Sequence, residues 1–148
     1  MEKIFELRLV KENDWKILLE WRNDIITRKN FFNSKVVKKS EHIQYLKDTL
    51  KHPTRNLFIL LSNKIPVGTI REDIIKPHKY ELSYTISPKF RGQKLGQLMM
   101  NIYLFNKKGS FYCEVKKKNI PSIKMIKKLG FKYFRRKNDI NHYKLEKK

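Results

Sequence analysis

Alanine is absent from these 148 residues, and glycine, proline and cysteine are scarce at five, five and one. The single Cys113 excludes an intrachain disulfide and any cysteine-based zinc cluster, and no metal site is expected. Its place in the apolar run Phe111 to Val115 reads as a buried, inert thiol. No Gly- or Pro-rich stretch marks a linker, and no repeat or low-complexity tract is present. The expectation is one domain over 1–148, long enough to bury a core without staples. Long apolar runs are missing too. The opening MEKIFELRLVKEND lacks the stretch of a signal peptide, and no later window approaches a membrane span, so a cytoplasmic protein with no membrane partner is expected.

Acidic residues are also in short supply, 14 against 35 basic ones, for a formal net charge of +21. Such a balance raises affinity for any polyanion and makes a nucleic-acid-binding module one candidate. Composition supplies a duller cause. Lysine far outnumbers the eight scattered arginines, and isoleucine and asparagine are abundant, as in chains encoded by AT-rich codons. Arginine, the residue suited to bidentate phosphate contacts, is not enriched. Nucleic acid therefore ranks behind the compositional explanation.

What is present is organised around Glu81 to Asn106. Leu82, Tyr84 and Ile86 alternate with Glu81, Ser83 and Thr85, the period of a half-buried strand, and Pro88 ends it. Beyond the turn, Leu95, Leu98, Met99, Ile102 and Phe105 fall at helical spacing. Arg91, Gly92, Gln93, Lys94, Leu95 and Gly96 crowd the junction. A basic, glycine-containing turn at a helix N-terminus suits phosphate, because free N–H groups and the helix dipole face the ligand there. The alternative is a tight turn and nothing more. Neither GxxxxGK[ST] nor GxGxxG occurs, which argues against a P-loop or a Rossmann dinucleotide site.

Along the chain, a strand around Phe5 to Leu9 precedes a helix that Asn13 or Asp14 can cap and that Trp21-Arg22-Asn23-Asp24 closes. The stretch from Ile25 to Lys39 has no clean period and reads as a loop. Ser40 can cap a second helix to about Lys51. Strands over 56–62 and 67–75, parted by a turn at Asn63-Lys64-Ile65-Pro66, form a meander with the strand at Glu81. The helix from Leu95 is expected to end in Lys107-Lys108-Gly109. A strand at Phe111 to Val115 follows, then a helix capped by Asn119 and ended at Gly130, and finally a hairpin around Asn138-Asp139. The order is β-α-α-β-β-β-α-β-α-β-β, a mixed α/β unit.

That order, with SPKFRGQKLG and EVKKKNIPSIKMIKKLGF at their places in it, resembles the GNAT superfamily of acetyl-coenzyme A dependent N-acetyltransferases over nearly the whole chain. The resemblance implies a mostly antiparallel central sheet flanked by helices, with acetyl-CoA as co-substrate. Arg91 and Gly96 match the ends of the family's pyrophosphate loop, while Lys94 stands where its middle glycine is usual. Asn119, Ser122, Leu129, Gly130 and Phe131 match the helix beside the pantetheine arm. By the same resemblance, the fourth and fifth strands splay apart and pantetheine pairs with backbone around Tyr84, Thr85 and Ile86.

Transfer to an amine needs a neutral nucleophile, an oxyanion donor and a proton for the leaving thiolate. Glu81 is the candidate base, with an ordinary salt bridge as its alternative. Family members often carry a tyrosine seven residues after the asparagine; here that position is Ile126, and a thiolate can leave without strong acid help.

WRND, RKNFFNS, VGTIREDI and ELSYTISPKFRG look most like acetyltransferases of nucleotide-linked deoxyaminosugars. A basic protein also suits an anionic nucleotide sugar better than a basic peptide. Asn30, Phe32, Arg71 and Asp73 are candidates for the acceptor pocket, with core packing or surface pairing as the alternative. A protein or peptide acceptor is the second enzymatic reading, and a homodimer remains open.

Overall fold

The computed structural model describes residues 2–148. Its elements are β1 (Phe5–Leu9), α1 (Trp15–Asn23), α2 (Ile25–Asn30), α3 (Lys39–Lys51), β2 (Arg55–Ser62), β3 (Ile65–Lys76), β4 (Lys79–Ile86), α4 (Leu95–Leu104), β5 (Gly109–Lys116), α5 (Ile120–Lys128), β6 (Lys132–Lys137) and β7 (Ile140–Lys147). Among the described residues, seven strands form one sheet in the order β1-β2-β3-β4-β5-β7-β6. Every neighbouring pair is antiparallel except β4 and β5, which run parallel. The expected meander is therefore present as β2-β3-β4.

Alternation divides the sheet into two faces. Leu60, Val67, Ile70, Leu82, Phe111, Cys113 and Tyr143 point to one face, where Met99, Met100, Tyr103 and Ile126 of α4 and α5 complete the main core. On the other face Leu57, Ile59 and Leu61 meet Leu18 and Trp21 of α1 and Leu46 of α3. Helices α1 and α3 thus cover β2, and the outward face of β3, β4, β5 and β7 carries polar residues. Cys113 is buried, and that burial pushes its thiol up, as expected of an inert core cysteine.

Several local expectations are corrected. The stretch after Asp24 is not a loop throughout: Asp24 caps α2, its carboxylate accepting from Thr27 N at 3.0 Å. Asp14 stands at the N-cap position of α1, but its carboxylate bonds no α1 amide and is taken by Lys11 N and by Arg8, both at 2.8 Å. Ser40 lies inside α3, which starts one residue earlier. The helix α4 ends at Leu104, and the left-handed residue beyond it is Asn106, with φ 60°. Gly109 is not its cap but the first residue of β5. The hairpin turn before β3 is tighter than expected: Asn63 and Lys64 (φ 48° and 69°) make it, and Ile65 and Pro66 already pair with Ser62 and Leu61, whereas Asn138 (φ 56°) turns between β6 and β7 and Gly130 (φ 100°) ends α5 as expected.

Candidate functional site

Parallel pairing of β4 with β5 runs from Lys79↔Ser110 to Leu82↔Cys113 and stops. Beyond that point β4 continues to Ile86 paired only with β3, and β5 continues to Lys116 paired only with β7. The two strands part like a V, and Ser83 to Ile86 present unused backbone groups along the gap. An extended, amide-bearing ligand can add to such an edge by main-chain hydrogen bonds.

At the wide end lies the turn from Arg91 to Gly96. In the first turn of α4 the amides of Leu95, Gly96 and Gln97 precede the first backbone hydrogen bond, Leu98 N to Lys94 O at 3.2 Å, so they are available to an anion. A Cβ added at Gly92 would meet nothing within 4 Å, which leaves room for a ligand against the backbone. Lys94 occupies the position of the missing glycine and adopts a glycine-like conformation, φ 60° and ψ 21°. The lysine therefore preserves the turn at a cost in backbone strain of about 1 kcal/mol. Lys94→Gly is expected to raise stability by up to about 1 kcal/mol, read by thermal denaturation. A lower melting temperature would show that the lysine side chain contributes more than its backbone costs.

Arg91 does not point into the gap. Its Nη2 is bound by the Asp24 carboxylate and donates to Thr27 Oγ1 at 2.8 Å, tying the turn to the first turn of α2. Burial alone would raise the Asp24 carboxyl, but Arg91 and the Thr27 amide together hold it below the usual range. The far end of α2 is tied as well, Lys116 Nζ of β5 donating to Lys29 O at 2.9 Å. This short helix thus spans from the turn at the wide end of the V to the end of β5. The string Trp21-Arg22-Asn23-Asp24 supports it residue by residue. Trp21 is in the core, Arg22 donates to Asn33 O at 2.6 Å, Asn23 exchanges two 2.8 Å bonds with Val37, and Asp24 caps α2.

On the α5 side, Asn119 caps the helix, accepting from Ser122 N at 3.4 Å, and the Ser122 hydroxyl is bonded to the Tyr84 hydroxyl. Tyr84 is a packed residue whose burial pushes its phenol well above the ordinary range. Ile126, at the position where the resemblance implies a tyrosine, is wholly buried.

Glu81, Ser83 and Thr85 share the outward face of β4. Across the ladder they oppose Asp73, Arg71 and Thr69. Burial pushes the Glu81 carboxyl up, and the negative charges of Glu114 and Asp73 add to this, against a pull downward from Arg71. Among the described residues no ion pair engages Glu81, so the salt-bridge alternative has no partner here. Asp73 is held by Arg55 at 2.6 Å and lies 3.3 Å from Arg71 Nε, a contact of charge without hydrogen-bond alignment. Asn30 ends α2 and Phe32 follows it, both exposed, and no hydrogen bond joins either to Arg71 or Asp73. The structure therefore assembles Glu81, Arg71 and Asp73 on one face and leaves Asn30 and Phe32 at the rim.

Sequence reading missed Asp24 and Thr27 as partners of Arg91, Lys116 as the tether of α2, and Glu114 with His142 on the outward face. For Lys116, Glu114 and His142 the one prior signal was that polar residues alternate along β5 and β7 at the positions facing away from the core; Asp24 and Thr27 had none.

A family model described as the acetyltransferase (GNAT) family matches residues 15–131. No curated protein sequence matches the chain significantly. Among solved structures, a domain from Methanocaldococcus jannaschii has a TM-score of 0.85 at 22% identity, covering 98% of this chain and 99% of that one. Spermidine N-acetyltransferase from Vibrio cholerae, in complex with CoA and spermine, has a TM-score of 0.86 at 15% identity over 97% and 95%. Campylobacter jejuni N-acetyltransferase PseH in complex with acetyl coenzyme A has a TM-score of 0.75 at 16% identity over 98% and 100%.

Proposed function

Because the chain belongs to the acetyltransferase (GNAT) family and is an acetyl-CoA dependent N-acetyltransferase, we propose that its acceptor is the primary amine of a nucleotide-linked deoxyaminosugar. The observation that carries the coenzyme reading is the β4–β5 gap with the Arg91 to Gly96 turn at its wide end. Pantetheine would lie along Ser83 to Ile86, and the pyrophosphate against the α4 amides and Gly92. The bound coenzyme supplies the activated acetyl group. Glu81 would take the amine proton, and backbone N–H near Thr85 and Ile86 would face the developing oxyanion.

Charge supports the choice of acceptor. Lys29, Lys35 and Lys38 are exposed around α2 and the loop after it, a rim suited to phosphate, while carboxylates lie at the amine end. Those carboxylates also favour a second reading, a small cationic amine of the kind bound by the Vibrio relative.

Acetyl-CoA is expected to raise the melting temperature more than ATP at the same concentration, with a gain of about 2.7 kcal/mol at a hundredfold excess over Kd. Equal shifts, or none, would sink the enzyme reading. Thiol release from acetyl-CoA across nucleotide aminosugars, free aminosugars, polyamines and peptides then tests the acceptor. The highest kcat/KM should fall on the nucleotide aminosugars; a polyamine or a peptide at the top of the panel overturns that assignment.

A further inference from the structure

The last paired positions of the β4–β5 seam are Leu82 and Cys113, and the next outward-facing residue of β5 is Glu114, opposite Ser83 where the strands part. Glu114 is thus one step along the seam from Glu81, on the same face, at the mouth of the gap. Its cross-strand partner on β7 is His142, whose Nδ1 lies 3.4 Å from Glu114 Oε1. His142 is buried, with the Phe134 ring of β6 packed edge-on at 6.0 Å. A half-buried carboxylate set beside a buried imidazole at a cleft mouth is not a solvated surface charge, and the basic excess of the chain does not explain it.

We propose that Glu114, in register with His142, is a positioning residue of the acceptor site, standing across the mouth of the β4–β5 gap from Glu81 and controlling the proton that Glu81 takes from the acceptor amine. The inference rests on the acetyltransferase reading of the same site. Its physical basis is like-charge repulsion: an ionised Glu114 makes a second negative charge at Glu81 costlier and so favours the protonated form. A general base works best when its proton affinity is matched to the working pH, and an isolated carboxylate is too weak a base for an ammonium.

Other charges facing the pair are Asp73 and Arg71 from β3, Lys116 on β5, Lys144 on β7 and Arg135 of β6, which is in register with His142. The variants leave all of these in place.

The test measures the Glu81 carboxyl midpoint by carbon-13 NMR titration of the acceptor-free protein, beside the pH profile of kcat/KM for thiol release. Glu114→Gln keeps shape and removes the charge; the Glu81 midpoint and the acid limb of the profile should both fall by roughly half a unit to one unit. In His142→Gln neither should fall, because the Glu114 carboxylate stays in place. An unmoved Glu81 midpoint in Glu114→Gln, or an equal fall in both variants, overturns the proposal. A shift seen by NMR in a protein that releases no thiol with any acceptor would keep the Glu81–Glu114 coupling and remove the catalytic reading instead.

Discussion

Glu81→Gln is expected to lower kcat by about 100- to 10,000-fold, the range for loss of a positioned general base, while leaving acetyl-CoA affinity nearly intact. The separation follows from the geometry. Glu81 lies within the paired part of the β4–β5 seam, on the outward face, whereas the unpaired edge of β4 proposed for the coenzyme begins at Ser83 and the turn proposed for its phosphates at Arg91. Gln preserves volume and hydrogen-bonding reach and removes only the ability to accept a proton. Steady-state kinetics with the preferred amine, coenzyme binding by calorimetry and the pH profile of kcat/KM together provide the check. If the acid limb of the profile keeps its position in Glu81→Gln, another group is the base.

A second consequence has the opposite sign. Burial and the charges of Glu114 and Asp73 raise the Glu81 carboxyl in the folded protein above its unfolded value. A carboxyl raised in this way favours folding while it is protonated in both states, below its unfolded pKa. That contribution is lost as pH rises through the folded value, so at neutral pH the native state carries the cost of an ionised, partly buried carboxylate. Glu81→Gln removes the cost, and the inactive variant should melt higher than the parent at neutral pH, with the gain shrinking below the unfolded carboxyl range. Stability traded against a catalytic charge is the behaviour expected of an active-site group and not of a surface one.

The strand and helix order, the hairpin turns at Asn63-Lys64 and Asn138, the Asn119 cap and the Gly130 stop were legible because each rests on local chemistry: alternation, turn propensity or a side chain bonding its own backbone. The short helix α2 was not, since six residues give no periodicity to read and its cap, Asp24, had already been assigned as the close of α1. Arg91 was legible as a cation at a phosphate turn, but its bond to Asp24 joins residues 67 apart and leaves no trace in either neighbourhood. Glu114 and His142 were hidden for a related reason. Their pairing depends on the register of β5 against β7, and the excess of lysine masked a local gathering of carboxylates.

Gly109→Ala is expected to destabilise the protein by about 2–4 kcal/mol, the largest effect of a methyl added at any of the five glycines. Gly109 has φ 131°, a region that side chains avoid, and an added Cβ would stand 2.4 Å from His78 O and 3.0 Å from His78 C. Both obstacles are backbone and cannot rotate away. The same carbonyl accepts the Ser110 amide at 2.8 Å, beside Lys79↔Ser110, the first pair of β4 with β5. This contact is the closed end of the V, so moving it disturbs both the sheet and the width of the gap. Gly92→Ala is the matched control: φ is also positive, at 78°, but nothing lies within 4 Å of the new Cβ, so only conformational strain of about 1–2 kcal/mol applies. Urea denaturation of the two variants isolates the backbone collision. If Gly109→Ala costs no more than Gly92→Ala, the closed end of the seam is free to widen, and the spacing of the gap is set elsewhere. If it costs more, and acetyl-CoA affinity falls in the fraction that stays folded, the close approach of His78 and Gly109 fixes the angle at which β4 and β5 diverge.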